Sequence, residues 1–206
     1  MAGMVFFSVS MSIDGFIAPE SPEELMGQQW MELQHWVFPT RFMRESLKLG
    51  GGGEEGLDNE IARTTFERTG ASVMGKRMFD AGEHAWPDEA PFHTPVFVMT
   101  HERRDPWVRL GGTTFYFVDD GIRSALDRAR EAAGDRDVRI SGGGATIVEY
   151  LNAGLVDEFS IALSPVLFGS GIRLFENVDA GRIALQQVRS EASARATHLT
   201  YAVRQR

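Results

Sequence analysis

The stretch DVRISGGGATIVEYL, residues 137–151, decides the fold of this chain of 206 residues. We interpret DVRIS as a buried strand and ATIVEYL as the first part of a helix that Gly154 closes. Three glycines, Gly142 to Gly144, connect the two elements. Glycine lets the backbone approach a ligand closely, and the first turn of a helix offers unpaired N–H donors. The stretch therefore predicts a strand–turn–helix unit that is able to bind an anion.

A standard dinucleotide-binding fingerprint does not fit this turn. The pattern G-x-G-x-x-G would need its third glycine at position 147, where the chain has Ile147. That fingerprint also belongs to the first βαβ unit of its fold, whereas this turn lies about two-thirds of the way along the chain. Two interpretations stay open from the residues alone, a purely structural turn and a phosphate-binding turn of another fold.

Working outward, further apolar segments alternate with helical patterns. Strands alternating with helices indicate an α/β fold, and the last two segments predict an antiparallel hairpin at the C-terminus. The predicted strands are MVFFSVSMS (4–12), ASVMG (71–75), PVFVMT (95–100), TTFYFVDD (113–120), VDEFSIALSPVLFG (156–169), IALQQVRSEA (183–192) and ATHLTYAVRQR (196–206).

We find neither an internal repeat nor a linker, and we expect one domain over residues 1–206. Residues 19–57 are predicted to form an insertion of helix and loop, in which GGGGEEG (50–56) is a flexible loop. Asp58 is predicted to cap the helix that follows the insertion. The insertion carries four large aromatic residues that form either core or a cover for a flat ligand, namely Trp30, Trp36, Phe38 and Phe42.

Composition excludes several classes of function. The net charge of −8 argues against a general nucleic-acid-binding protein, which would present excess lysine and arginine. The absence of cysteine excludes disulfides, thiolate metal sites and cysteine nucleophiles, and the five histidines show no metal-binding spacing. The sequence has no apolar run long enough for a membrane span, and its start lacks the features of a signal peptide. We therefore expect a cytoplasmic protein without a metal site that binds neither nucleic acid nor membrane.

Two basic turns resemble the glycine turn in their position. VMGKRMFD places Lys76 and Arg77 directly after a buried strand, and VMTHERRD places His101 and Arg103 after another. Each pair of cations is either a phosphate site or an ordinary solvated surface. Ligands of open α/β sheets lie outside the carboxyl ends of the strands, so three such turns together favour a phosphate-bearing ligand.

The segments VSMSIDGFIA, VMGKRMFD, VFVMT, ISGGGATIVEYL and LSPVLFGSGIRLF, in this order, resemble the dihydrofolate reductase-like superfamily. Within it, the sequence is most similar to the reductase domain of the bifunctional riboflavin-biosynthesis deaminase-reductase and its free-standing relatives. The resemblance covers nearly the whole chain except residues 19–57. It implies a central, mostly parallel mixed sheet of eight strands flanked by helices, an extended NADPH across the strand ends, a small-molecule substrate and a homodimer.

The resemblance also implies roles for individual residues. Asp14 lies in the D-G turn near the substrate mouth, where we expect a catalytic role. Lys76 is expected to face the 2′-phosphate of adenosine. The residues expected to contact NADPH are Val9, Ser10, Ile17 and Ala18 beside the nicotinamide, Gly142, Gly143, Gly144, Ala145 and Thr146 at the pyrophosphate, Gly75, Lys76, Arg77 and Met78 in the second cofactor segment, and Thr100, His101 and Arg103 around the adenine ribose.

The substrate is less well indicated than the cofactor. The riboflavin reductases often carry Lys or Asn at the position of Ser8, and neither Glu32 nor Glu45 aligns with the pterin-binding carboxylate of folate reductases. The leading hypothesis is an NADPH-dependent reductase that transfers a hydride to a C=N or C=O group of a pyrimidine- or pterin-like heterocycle. The alternatives are a non-catalytic NADP-binding protein and a true dihydrofolate reductase.

Overall fold

A computed structural model describes residues 3–21, 24, 25 and 27–206. Within them, no helix is both long and apolar enough to cross a membrane. The strands are β1 (Val5–Ser12), β2 (Phe16–Ala18), β3 (Thr69–Gly75), β4 (Pro95–Met99), β5 (Trp107–Val108), β6 (Thr114–Val118), β7 (Asp137–Gly142), β8 (Glu158–Ser164), β9 (Ile172–Arg173), β10 (Ile183–Ala192) and β11 (Thr197–Gln205). The helices are α1 (Gln28–Leu33), α2 (Arg41–Ser46), α3 (Leu57–Arg68), α4 (Lys76–Glu83), α5 (Ile122–Ala133) and α6 (Gly144–Asn152).

Nine strands form the main sheet in the order β10-β11-β8-β1-β7-β3-β4-β6-β5. The six strands from β8 to β6 in this order are mutually parallel, whereas β11, β10 and β5 each pair antiparallel with their neighbour. A separate two-stranded sheet pairs β2 with β9. The predicted α/β fold, the mostly parallel sheet and the antiparallel C-terminal hairpin are therefore confirmed.

The expected number of eight strands is wrong by one, because β5 adds a ninth strand at the edge of the sheet. This strand has only two residues, which is too short for any hydrophobic period to be visible in the sequence. Aromatic side-chain packing holds β5 in place, since the Trp107 ring lies 6.0 Å from the ring of Phe79 and 5.4 Å from that of Phe115.

The two faces of the sheet are packed differently. Helices α5 and α6 cover one face, whose apolar cluster includes Phe7, Val73, Ile140 and Tyr150. The opposite face carries two separate clusters. We call them the insertion cluster (Trp36, Val37, Met43, Ala62, Ala162 and Ala196) and the α4 cluster (Met74, Phe79, Ala90, Val96, Val98 and Phe115).

Two predictions about the insertion need correction. The loop GGGGEEG is not free along its whole length, because Arg41 N donates to Glu54 O at 2.9 Å and Glu54 N donates to Pro39 O at 2.8 Å. Asp58 does not cap α3, whose N-cap residue is Gly56. Asp58 instead contacts His198 on β11, with 2.6 Å between Oδ1 and Nε2. The structure describes two short helices in residues 19–57, and positions 22, 23 and 26 lie outside the described residues.

An ionic cluster lies at the amino ends of the central strands. Arg68 Nε lies 2.6 Å from Asp137 Oδ2, and Arg68 Nη1 lies 2.7 Å from Glu158 Oε1. The guanidinium also stacks over the Phe6 ring at 4.1 Å. This arrangement ties the end of α3 to strands β1, β7 and β8.

Candidate functional site

The glycine turn lies at the carboxyl end of β7, in the middle of the sheet. Gly142 ends the strand with a φ of 124°, which favours glycine, and a cis peptide bond joins it to Gly143. Gly143 is the N-cap residue of α6, and a Cβ built there would meet no atom within 4 Å. The turn therefore faces open space beside the first N–H groups of a helix, as an anion site requires.

The second predicted segment touches this turn. A Cβ at Gly75 would lie 2.3 Å from Thr146 Oγ1 and 3.6 Å from Gly143 N. A Cβ at Gly142 would lie 3.1 Å from Met78 Sδ. Gly75 is therefore required by the close approach of two strand ends and not by its backbone angle, since its φ is −79°.

The predicted nicotinamide segment reaches the same turn from β2. A Cβ at Gly144 would lie 3.1 Å from Ile17 Cδ1 and 3.1 Å from Ile172 Cγ2. Ala18, at the end of β2, lies close to Gly171, where a built Cβ would be 2.6 Å from Ala18 O. The small β2–β9 sheet thus forms one wall of the space in front of the glycine turn.

The third predicted cofactor segment, which follows β4, lies next to the second one at the sheet edge. It is more exposed than the other two segments. Met99 pairs with Gly75, so the buried Thr100 follows directly at the same sheet edge. Thr100 Oγ1 accepts a hydrogen bond from Glu102 N at 3.0 Å. His101 and Arg103 are exposed, and Arg103 Nε lies 3.2 Å from Asp119 Oδ2.

Lys76 is already surrounded by carboxylates. Its Nζ lies 2.6 Å from Asp80 Oδ1 and 3.4 Å from Glu102 Oε2. The hydrogen bond to Asp80, and then that to Glu102, raises the pKa of Lys76. The neighbouring Arg77 donates to the backbone oxygen of Glu20. Binding of a 2′-phosphate to Lys76 would therefore compete with two carboxylates.

On β1, the predicted residues Val9 and Ser10 face opposite sides of the sheet, as successive strand residues must. Val9 packs on the face covered by α5 and α6. Ser10 faces the insertion, where its Oγ accepts a hydrogen bond from Trp36 Nε1 at 2.8 Å and donates to Gln34 Oε1 at 2.9 Å. The insertion is thereby attached to the strand that we expect to border the nicotinamide.

Asp14 connects the loop after β1 with the loop after β8. Its Oδ1 accepts from Ser12 Oγ at 2.6 Å, and its Oδ2 accepts from Gly169 N at 2.7 Å. Phe168 N lies 3.1 Å and 3.2 Å from the two carboxylate oxygens. The Ser12 hydroxyl first, and then these amides, lower the pKa of Asp14 to about 2. Asp14 is therefore anionic at neutral pH, and its geometry is that of a residue that positions the loop.

This pKa predicts a defined dependence of stability on pH. An acid with a lowered pKa in the folded state stabilises the fold above its unfolded pKa, and this contribution is lost as the pH falls through the folded value. The melting temperature of the Asp14→Asn variant should lie below that of the wild type above a pH of about 5. The difference should shrink as the pH falls through 3.8 toward about 2. A difference that is constant from pH 6 to 2 would contradict the hydrogen bonds to the carboxylate.

A cavity of about 320 Å³ opens beside the insertion, at the carboxyl end of β8. Trp36 and Ser164 line it, together with Glu32, His35 and Arg195 at its more exposed side. Glu45 lies elsewhere, on the surface, and pairs with Arg41 at 3.2 Å. Neither Glu32 nor Glu45 is buried beside the glycine turn, so neither occupies the place of a buried pterin-binding carboxylate.

Sequence reasoning missed several residues at this edge. The contacts of Gln34 and Trp36 with Ser10, and of Phe168 and Gly169 with Asp14, join segments that no local pattern relates. Arg139 was visible as a single cation inside a buried strand, which is an unusual position and a usable signal.

Comparisons with known proteins identify the family of this chain. The profile described as the RibD C-terminal domain matches residues 4–199. The chain belongs to the RibD C-terminal domain family. Residues 19–57 lie within the matched range. Membership of this family supports a reductase-type function.

Solved structures share the fold at low sequence identity. A putative riboflavin biosynthesis protein from Shewanella sp. PV-4 is 22% identical, with a TM-score of 0.67 over 98% of this chain and 99% of that chain. A dihydrofolate reductase from Enterococcus faecalis, complexed with NADP(H) and RAB-propyl, is 15% identical, with a TM-score of 0.57 and 98% coverage of both chains. A pyrimidine reductase-like protein from Corynebacterium diphtheriae is 12% identical, with a TM-score of 0.58 over 98% of this chain and 92% of that chain.

Two curated relatives match over shorter ranges, both from Bacillus subtilis strain 168. The uncharacterized protein YyaP is 36% identical over 72 residues, which are 35% of this chain and 37% of YyaP. The uncharacterized protein YwjB is 30% identical over 91 residues, which are 41% of this chain and 51% of YwjB. The matches thus span about half or less of these relatives.

Proposed function

We propose that this protein is an NADPH-dependent reductase that transfers a hydride to a C=N or C=O group of a heterocyclic small molecule. The observation that carries the proposal is the convergence of the predicted cofactor segments around Gly143. Gly75 at the end of β3, Met78 on α4 and Ile17 on β2 all lie beside the glycine turn, since a Cβ at Gly75 would be 3.6 Å from Gly143 N and Cβ atoms at Gly142 and Gly144 would be 3.1 Å from Met78 Sδ and Ile17 Cδ1. Membership of the RibD C-terminal domain family supports the same class of reaction.

The residues present fit a bound dinucleotide. Gly143 borders open space, and the helix behind it would offer the first-turn N–H groups of Gly144, Ala145 and Thr146 to a pyrophosphate. Lys76, Thr100 and Arg103 lie along the same sheet edge and would hold the adenosine end. When bound, NADPH would supply the hydride.

The chain itself would orient the reactants and exclude water. Ile17 and Ile172 form an apolar wall in front of the glycine turn, and Asp14 holds the loop of Phe168 in place. Because the carboxyl of Asp14 has a pKa of about 2, it carries no proton at neutral pH. We therefore propose that Asp14 positions this loop and that another group delivers the proton to the substrate.

Titration with NADPH tests the proposal. Binding is measured by energy transfer from tryptophan to the reduced nicotinamide, and turnover by the loss of NADPH absorbance with a panel of pyrimidines and pterins that includes dihydrofolate. Saturable binding with turnover of a heterocycle supports the proposal. Binding without any turnover would favour the non-catalytic NADP-binding protein, turnover of dihydrofolate alone would favour a true dihydrofolate reductase, and no saturable binding below millimolar NADPH would overturn all three.

The carboxylates around Lys76 lead to a prediction about cofactor preference. Lys76→Ala should weaken NADPH binding roughly tenfold, because one charged hydrogen bond is lost, and should leave NADH binding almost unchanged. Glu102→Gln should strengthen NADPH binding, since it removes a competitor for Lys76 that lies 3.4 Å from its Nζ.

Both dissociation constants are measured by the same titration. Arg130→Met is a suitable control, because Arg130 is an exposed cation in the last turn of α5. Equal effects of Lys76→Ala on NADPH and NADH would refute the role of Lys76 at the 2′-phosphate.

A further inference from the structure

A polar strip separates the two apolar clusters on the insertion side of the sheet. The insertion cluster reaches β8, the α4 cluster reaches β3 and β4, and strands β1 and β7 lie between them in the sheet order. On the insertion side of the sheet, strands β1, β7 and β3 carry polar side chains in the space between the two apolar clusters. We call these residues the serine strip, which consists of Ser8, Ser10, Ser72 and Ser141, together with Arg139 at its centre.

Arg139 is a half-buried cation that has no counterion among the described residues. Its Nη2 donates to Ser8 O at 3.2 Å, its guanidinium lies 5.3 Å from the centre of the Phe66 ring, and its Nε is buried without any hydrogen-bond partner in the described part of the chain. Burial lowers the pKa of Arg139 to about 10, so the side chain remains charged at neutral pH. Buried charges are normally paired, and an unpaired one calls for an explanation.

The nearest acidic residue on the same strand does not supply the counterion. Asp137 lies two positions before Arg139 and therefore on the same face of β7. Its carboxylate is already bound by Arg68 Nε at 2.6 Å and by Met4 N at 2.7 Å. Arg68 also forms an ion pair with Glu158. The fold thus provides two carboxylates for Arg68 and none, among the described residues, for Arg139.

A second orphaned polar group lies beside the first. Ser141 is two residues after Arg139 on the same face of β7, and its buried Oγ also has no hydrogen-bond partner among the described residues. The Arg139 side chain extends toward the carboxyl ends of the strands, where Ser141 lies. Arg139 pairs in register with Phe6, whereas its guanidinium reaches Ser8, which is two residues nearer the carboxyl edge. Two donors without a partner among the described residues therefore lie on one face of β7, in the residues just before the glycine turn.

The serine strip lies next to the cavity beside the insertion, with Trp36 between them. Trp36 lines that cavity and also contacts Ser10 of the strip. Ser164, at the cavity, pairs with Ser12 in register, and Ser8 lies four residues before Ser12 on the same face of β1. Four residues of a strand span roughly 13 Å, about the length of a substituted bicyclic molecule. A flat ligand of that length would span from the cavity to Arg139 if it replaced the contact of Trp36 with Ser10.

We infer that Arg139 is the anion-recognition residue of the substrate site, and that the substrate is a planar heterocycle that carries a carboxylate. The inference rests on the proposed function and specifies its substrate class. A carboxylate would accept hydrogen bonds from the guanidinium and from the Ser141 hydroxyl, and it would supply the missing negative charge. The ring would then extend along the serine strip toward Ser10 and the glycine turn.

The test compares orotate with uracil, which share a ring and differ in the carboxylate, by titration calorimetry on the NADP⁺-saturated protein. The wild type should bind orotate at least roughly tenfold more tightly than uracil, as expected for a charged hydrogen bond. Arg139→Met should lose this preference, Arg139→Lys should keep part of it, and the exposed control Arg130→Met should keep all of it. No preference in the wild type, or an undiminished one in Arg139→Met, would overturn the inference.

Two further readouts separate a binding role from a structural one. If Arg139 serves the substrate, Arg139→Met should bind NADPH normally and unfold at the same temperature as the wild type or higher, because it removes a half-buried charge that has no counterion among the described residues. A lower unfolding temperature together with loss of NADPH binding would make Arg139 a structural residue and overturn the inference. If the wild type prefers orotate in the absence of any nucleotide and fails to bind NADPH, the proposed function is wrong while the anion site stands.

Discussion

Gly75→Ala should abolish tight NADPH binding and lower the free energy of unfolding by about 1–3 kcal/mol, as overpacking of a closely packed site does. The new methyl group would lie 2.3 Å from Thr146 Oγ1, well inside the contact distance of two heavy atoms. Because Thr146 is in the first turn of α6, relief of this clash moves the helix end and the glycine turn away from β3. The backbone itself tolerates alanine, since the φ of Gly75 is −79°.

Urea unfolding and NADPH titration measure the two effects. The double variant Gly75→Ala/Thr146→Ala should recover most of the lost stability, because it removes the oxygen that the methyl group meets. Gly51→Ala is the matched control, since a Cβ at Gly51 meets no atom within 4 Å. If Gly75→Ala binds NADPH as the wild type does, the two cofactor segments are not in the contact that the structure shows.

Trp36→Ala should lower the free energy of unfolding by about 3–5 kcal/mol, the usual loss for a large aromatic side chain removed from a core. The Trp36 side chain is buried in the insertion cluster, and its ring lies 4.8 Å from the ring of His198. The same indole donates its N–H to Ser10 at 2.8 Å. Trp36 therefore joins the insertion both to the core and to the strand beside the proposed hydride site.

Trp36→Phe separates these two roles. Phenylalanine keeps most of the packing but cannot donate to Ser10, so we expect a smaller loss of stability, an unchanged dissociation constant for NADPH and a clear loss of substrate turnover. Trp30→Phe is the control, because Trp30 is only partly buried and packs edge-to-face against Phe38 at 6.0 Å between ring centroids. Full turnover by Trp36→Phe would show that the contact with Ser10 serves packing alone.

The parts of this site that the sequence predicts are those in which a local pattern determines position. Gly75, Thr100 and Gly142 each lie at the end of an apolar strand. Because parallel strands bring their carboxyl ends to one edge of the sheet, the sequence alone predicts that these three residues lie close together. The helix after the glycine turn was equally visible, because its apolar spacing and its closing Gly154 are local features.

The remaining parts depend on contacts between distant segments. Asp58 has the sequence position of a helix cap, yet its partner is His198, which only the return of β11 brings nearby. The isolation of Arg139 is likewise a tertiary property, because Asp137 would be an obvious partner if Arg68 did not already occupy it. The loop of Glu54 is held by Pro39 and Arg41 through backbone hydrogen bonds that carry no signature in the side chains.

The position of β1 in the sheet has a consequence for how the chain matures on the ribosome. Its two partners are β7 and β8, and Val5 pairs with Val138, more than 130 residues later. At a synthesis rate of about 5–20 residues per second, β1 waits many seconds after its own synthesis before either partner exists. During that interval the apolar side chains of Phe6 and Phe7 have no sheet to enter. The centre of the molecule is thus completed late, and nascent chains should depend on chaperones most strongly before β8 has been synthesised.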